Sequence, residues 1–213
     1  MSTSTPDRIL DAAERLFARD GYHATSMRRL TGEAGVNLGS VNYHFSTKHG
    51  LMEAIIQRRL SGLNKQRLGM LKSALAAAEA EDRRPTVLEI LRALLEPTLR
   101  LLEEDSGNTH FIMLIGRVFY ESDDTVRKLF MKAMSPVIGR FFEALCLSLP
   151  DIPRPVLLRR LLFTLGAMGS TLSLTGRKAD FAFPGASLDW NAEHLLRQLL
   201  AFAVAGMEAP CSD

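Results

Sequence analysis

The chain has 213 residues, 46% of them hydrophobic and 23% charged, with a net charge of +2. That is long enough for one large domain or two small ones with a real core, and too nearly neutral for charge alone to announce a nucleic-acid partner. Its two cysteines, Cys146 and Cys211, lack the paired spacing of a zinc site or a disulfide framework and fit a reducing compartment. Met1 to Pro6 is a short polar arm with no apolar segment to act as a targeting peptide. The longest uncharged run, Leu161 to Gly176, is too short and too rich in Gly, Ser and Thr for a membrane span. The expected location is the cytoplasm, with no membrane partner.

Helix one is expected from Pro6, with Thr5 as N-cap and the proline in the first turn, where its missing amide costs nothing. Ile9, Ala12, Ala13, Leu16 and Phe17 form its apolar stripe, and Asp20-Gly21 ends it.

The stretch Thr25 to Phe45 carries the functional argument. Ser26 is a good N-cap, Met27, Leu30 and Ala34 recur at helical spacing, and Gly35 supplies the left-handed cap that stops the helix. A turn through Val36 and Asn37 leads to a second short helix, about Leu38 to His44, anchored inward by Val41 and Phe45. Two short helices about a glycine-containing turn make a helix-turn-helix, whose second helix enters the major groove. Its candidate base contacts are Leu38, Gly39 and Asn42: leucine can touch a thymine methyl, glycine lets the backbone approach, and an asparagine amide can pair with the N6 and N7 edge of adenine. Ser26, Ser40, Tyr43, His44 and Lys48 are donors suited to phosphate oxygens, which fix register without reading sequence. Three of the five histidines, His23, His44 and His49, fall in this head. An ordinary helical hairpin with core aromatics is the plain alternative, and it would not need this donor set on one side.

Ser46-Thr47 opens helix four, expected to reach about Ala80 with Leu51, Ile55, Ile56, Leu60, Leu63 and Leu68 apolar. Joining head to body, it is a natural lever. After a charged loop from Glu79 to Pro85, helix five runs from Thr86 to Glu104, kinked at Pro97, which removes a backbone bond and clashes with the previous turn. Helix six is read from Asn108 to Tyr120 and helix seven from about Asp124 to Leu147, with Pro136 as a second kink. The prolines of Pro150 to Pro155 stiffen the link to helix eight, about Val156 to Thr175. A Gly, Phe and Pro loop from Gly176 to Ser187 precedes helix nine, Leu188 to about Met207.

The fold is therefore expected to be all-α with about nine helices. A three-helix helix-turn-helix head covers residues 5–50, with the motif at about 26–45, and a helical-bundle body covers residues 51–208. Methionine and phenylalanine across helices six and seven suit either an adaptable apolar cavity or an ordinary core. Candidate ligand contacts are His110, Met113, Arg117, Phe130, Phe141 and His194. The apolar C-terminal helices, through Leu161, Leu165, Gly169, Leu172, Leu195, Leu199 and Phe202, are the candidate dimer interface, burying on the order of 2,000 Å² if obligate.

Ile9-Leu10-Asp11-Ala12-Ala13, Leu16-Phe17, Gly21-Tyr22, Thr25-Ser26, Ala34-Gly35-Val36, Asn42-Tyr43-His44-Phe45, Lys48 and Leu51 resemble the N-terminal signature of the TetR family of bacterial transcriptional regulators. The resemblance implies a homodimeric one-component repressor, with an inducer bound in the helical body. Asn42 and Leu38 depart from the residues common in the family, so base preferences do not carry over. Phe111 to Arg117, Leu165-Gly166-Ala167-Met168 with Ser173, and Phe202 to Met207 resemble TetR-type regulators of fatty-acid degradation. That resemblance implies a fatty acid or acyl-CoA inducer.

An enzyme is the rival class, and the chain has no GxGxxG, P-loop or HExxH pattern and no ExxH pair. No cofactor or metal is expected. A helical lipid carrier would explain the body but leave Thr25 to Phe45 without a purpose. The expected function is a DNA-binding regulator, a repressor released from a palindromic operator by a small apolar effector. An activator of the same fold is the alternative.

Overall fold

The computed structural model describes residues 4–103, 108–120, 124–177 and 190–211, apart from the side chains of 117–120 and 175–177. Among them the regular structure is helical: α1 Thr5–Asp20, α2 Met27–Ala34, α3 Leu38–Phe45, α4 Lys48–Ala80, α5 Val87–Leu99, α6 Thr109–Tyr120, α7 Asp124–Ser148, α8 Arg154–Arg177 and α9 Ala192–Glu208, with a 3-10 turn at Arg100–Leu102 after α5. The all-α expectation holds, and no described helix is long and apolar enough to cross a membrane.

Local chemistry explains the starts and stops. Most N-caps accept a backbone amide with their own side chains, among them Ser26 from Arg29, Asn37 from Ser40, Thr47 from Gly50 and Thr86 from Glu89. Thr86 and Glu89 complete a reciprocal capping box, and Arg83 holds the Glu89 carboxylate at 2.8 Å. That pair draws the Glu89 carboxyl down to about 2. At the first helix the cap is Ser4 rather than Thr5; its hydroxyl accepts from Asp7, and Thr5 is the first helical residue.

In the head, α1 crosses α2 and α3 and buries Ile9, Ala12, Ala13, Leu16 and Phe17 against Leu30, Val41 and Leu51. Body and head share α4, which packs on α5 and α7, and α1 also packs on α6. The closest helix pairing in the body is α6 on α8, made possible by Gly116: a Cβ there would lie 2.9 Å from Ser173 Cα. Small residues of α8 thus serve an approach within the chain.

Several expectations change. Leu68 is exposed, because it falls on the outer side of the stripe Leu63, Arg67, Leu71. Past Pro97 the α-helical part of α5 ends at Leu99 and tightens into the 3-10 turn, five residues short of the expected Glu104. α9 begins at Ala192, where Asn191 accepts from the His194 amide. Most of the loop expected over Gly176 to Ser187 lies outside the described residues.

Candidate DNA interface and its joint to the helical body

Two caps and one turn set the orientation of α3. Gly35 adopts φ 62° and ψ 41°, the left-handed conformation that glycine enters cheaply, and its carbonyl and that of Ala34 accept from Arg8 Nη2 at 2.8 and 2.7 Å. Arg8 thereby clamps the C-terminus of α2. With the dipole end of α2 held, Val36 donates to the Thr31 carbonyl and Asn37 caps α3.

Val41 is buried and Phe45 half-buried against the head, so the opposite face of α3 turns to solvent. Leu38 is 50% exposed and Tyr43 84%, and Gly39, Asn42 and His44 are exposed beside them. An 84% exposed tyrosine and a half-exposed leucine on one short helix are unusual unless something covers them. The three residues named for base reading and two of those named for phosphate are therefore all open to solvent on α3. Ser26 is exposed one helix away. Ser40 is less open, because its hydroxyl donates to Asn37 Oδ1 at 3.1 Å. Lys48 is turned back on the head: its Nζ donates to the His23 carbonyl at 3.4 Å and lies 4.5 Å from the Tyr22 ring centroid. Reaching a phosphate would cost it those contacts.

The link from α3 to α4 is abrupt. Ser46 sits at φ 60° and ψ −51°, a strained γ-turn conformation for a residue with a side chain, closed by the Thr47 amide on the Phe45 carbonyl at 2.6 Å. Directly above that carbonyl lies Gly50, where a Cβ would come well under 3.0 Å from the oxygen. The sequence marked Ser46 only as part of the opening of helix four, whereas Thr47 alone is the N-cap of α4, and it did not mark Gly50.

A second feature it missed is Glu14. The residue is 2% exposed on the apolar face of α1 and takes two arginines of α4: Arg59 Nη2 at 2.6 Å and Arg58 Nη2 at 3.1 Å. Arg58 also meets Asp11 at 2.8 Å, while Arg59 donates to Asn108 at 3.2 Å and lies 5.8 Å from the Phe111 ring centroid of α6. One buried carboxylate thus ties the head's first helix to the lever and, through Arg59, to the body. The visible signal was an acid placed between Leu10 and Phe17 at spacings of four and three.

The named effector residues are spread over three helices. Phe130 and Phe141 are buried on one face of α7, His110 and Met113 are half-buried on α6, and His194 lies in the first turn of α9. The Arg117 side chain lies outside the described residues. Surface clefts between α4 and α5 and between α5 and α9 are lined by none of the six. Among the described residues no cluster of His, Cys, Asp or Glu could hold a metal.

The named dimer residues divide. Leu161 and Leu172 are fully buried, Leu199 is 8% exposed, and Gly169 is buried, all within the chain's own core, so a second copy could not meet them. Leu165 and Leu195 are half-buried, and Phe202 is 67% exposed. The outward apolar face of α8 is instead Leu158, Leu162 and Phe163, at 43, 51 and 65% exposure. The sequence pattern located an apolar helix but chose the stripe that its own bundle buries.

Comparison with known proteins is consistent along the chain. A model described as bacterial regulatory proteins, tetR family, matches residues 9–55, and one described as tetracyclin repressor-like, C-terminal domain, matches residues 92–206. The chain is similar to the probable HTH-type transcriptional regulator YttP of Bacillus subtilis, 37% identical over 65 residues covering 30% of this chain and 31% of that protein. It is also similar to the HTH-type transcriptional repressor Rv1474c of Mycobacterium tuberculosis, 34% identical over 92 residues covering 41% and 49%. The chain therefore spans less than half the length of either curated relative. Solved structures of the same fold include the fatty acid degradation regulator FadR from Bacillus halodurans, with a TM-score of 0.70 at 14% identity over 99% of this chain and 100% of that one. Another is FadR from Bacillus subtilis in complex with stearoyl-CoA, with a TM-score of 0.67 at 16% identity over 93% and 97%. At such identities the likeness is one of fold.

Proposed function

The chain belongs to the tetR family of bacterial regulatory proteins, and we propose that it is a repressor that binds a palindromic operator as a homodimer and leaves it when a small apolar effector enters the body. The family is one of regulators, which removes the enzyme reading. The observation that carries the proposal is the outward surface of α3: Leu38, Gly39 and Asn42 together, unpaired with any core, over an inward anchor of Val41. Cytoplasmic location follows from the operator as partner.

In a dimer the two α3 helices would lie about 34–36 Å apart or further, one turn of DNA, so half-site spacing mirrors the protein's two-fold axis. The surface best suited to the dimer is Leu158, Leu162 and Phe163 of α8 with Phe202 of α9, a large apolar face that a soluble monomer would not leave open. Replacing Phe163 with glutamate should give monomers in light scattering and weaken operator binding, because two half-sites are no longer engaged together. A dimer of unchanged stability would remove α8 from the interface.

Support for a fatty acid or acyl-CoA as effector comes from the buried Phe130, Met134 and Phe141 of α7 and from the fold shared with a fatty acid degradation regulator and with a transcriptional regulator in complex with stearoyl-CoA. An effector lowers DNA affinity only by the difference in its affinity for the two head spacings. A ~100-fold preference supplies about 2.7 kcal/mol per site.

A gel-shift and footprint on the DNA upstream of its own gene tests the regulator reading. On the protected site, Asn42→Ala should cost roughly 1–3 kcal/mol and relax the preference at one base pair. Equal losses on specific and random DNA would defeat base reading by Asn42.

A further inference from the structure

Arg67 occupies a position where an apolar side chain belongs. It lies between Leu63 and Leu71 on the inward stripe of α4, four residues from each, and is 2% exposed. Its Nε donates to the Leu94 carbonyl at 3.1 Å, Nη1 to Asn64 Oδ1 at 2.7 Å and Met134 Sδ at 3.6 Å, and Nη2 to the Thr98 hydroxyl. All four acceptors are neutral. Among the described residues no carboxylate bonds this guanidinium; the buried acid nearest in sequence to its α5 contacts, Glu96, is engaged by Arg92 and Arg100. Burial with no opposing anion draws the Arg67 pKa down to about 10, which still leaves it cationic at neutral pH.

A buried cation without a counter-charge is costly, and neutral acceptors offset only part of that cost. Such a group is either a strut for the Pro97 kink or a receptor for an anion that arrives from outside. The surroundings favour the receptor. Phe130, Val137 and Phe141 share the buried face of α7 with Met134, Phe130 four residues before it and Val137 and Phe141 three and seven after it, so the guanidinium abuts an apolar wall that extends to both sides of it. An open cleft lined by Gln66, Met70 and Ala93 runs along the outer side of the same seam between α4 and α5.

We propose that Arg67 receives the anionic head of an amphipathic effector, a carboxylate or phosphate carried on an apolar chain that lies along α7. The proposal rests on the reading of the body as an effector-binding domain and names the chemistry of that site. It also gives the signal a route. A guanidinium that turns its parallel Nε and Nη2 N–H groups to an anion releases the Leu94 carbonyl and the Thr98 hydroxyl, the two α5 contacts that flank Pro97. Release would free α4 from α5 at that level, and α4 runs unbroken from there to Lys48 in the head.

Dodecanoate, dodecanoyl-CoA, methyl dodecanoate and dodecylamine, titrated calorimetrically into the full chain, test this. The wild type should bind at least one of the two anions tenfold or more tightly than the ester and the amine, and the stronger of the two identifies carboxylate or phosphate as the recognised head. Arg67→Met should lose that preference by tenfold or more and, because it also removes the Leu94 and Thr98 bonds, should bind its upstream DNA more weakly without probe and respond less to the anion. Arg67→Gln, which keeps hydrogen bonding without charge, should behave alike and carries the test if the methionine variant does not fold. Anion affinity unchanged in either variant, or a wild type with no preference for an anion, would overturn the assignment. Failure of the wild type to bind its upstream DNA would instead sink the regulator reading and leave the anion preference measurable.

Discussion

Gly50→Ala is expected to abolish specific DNA binding and destabilise the head, although alanine is the better helix former by about 0.8–1 kcal/mol. Gly50 lies in the first turn of α4, and its amide is fixed on the Thr47 hydroxyl at 3.0 Å. The new Cβ would press on the Phe45 carbonyl, itself held by the Thr47 amide in the γ-turn at Ser46. Backbone on both sides of the clash cannot rotate away as a flexible side chain would. Overpacking of this kind typically costs ~1–3 kcal/mol, and with backbone on both sides the upper part of that range applies, leaving a net loss of up to about 2 kcal/mol after the propensity gain. The larger effect is geometric: Phe45 is the last residue of α3, so relief of the clash tilts the surface that carries Leu38 and Asn42. Denaturant unfolding and a gel shift read the two effects separately. A variant as stable and as tightly bound as the wild type would show that the junction is not tight.

Glu14→Gln should lower stability by about 3 kcal/mol, the lower end of the range for breaking a buried ion pair. The lower end applies because Arg58 and Arg59 retain 28 and 27% side-chain exposure and can regain water, whereas Glu14 retains only 3%. Glutamine keeps the shape and one acceptor, so the loss reports charge rather than packing. The same variant should weaken the response of DNA affinity to effector, because Arg59 is shared between Glu14 and the Asn108 start of α6. An unchanged denaturant midpoint would show the cluster to be surface decoration. Unchanged coupling at reduced stability would confine it to a structural role.

Gly50 is marked by no pattern in the chain, and Glu14 only by an acid's place on an apolar stripe, and the reason is general. The caps Ser26, Asn37 and Thr47, the stop at Gly35 and the inward anchors Val41 and Phe45 act within a few residues of themselves, so spacing reveals them. Gly50 and Glu14 matter because of atoms brought from another element: a carbonyl across a turn and two guanidiniums 44 and 45 residues away. Arg67 belongs with them. It reads as one charge on a long mixed helix until folding places the α5 backbone and Met134 of α7 around it.

The C-terminal helices show the same limit from the other side. Periodicity identified α8 as apolar, but it is apolar on two faces, and nothing local states which of them the chain keeps for itself. Packing against α6, through Gly116 and Ser173, turns Leu161 and Leu172 inward and leaves Leu158, Leu162 and Phe163 outside. The sequence by itself determined an all-helical chain with a helix-turn-helix near its start, because caps, glycine stops and apolar spacing are local quantities. Only the tertiary structure decided which stripe of α8 is surface, which arginine stands buried without an anion and what joins the head to the body. Each of those depends on which distant side chains share a low-dielectric interior, and burial is a property of the assembled fold.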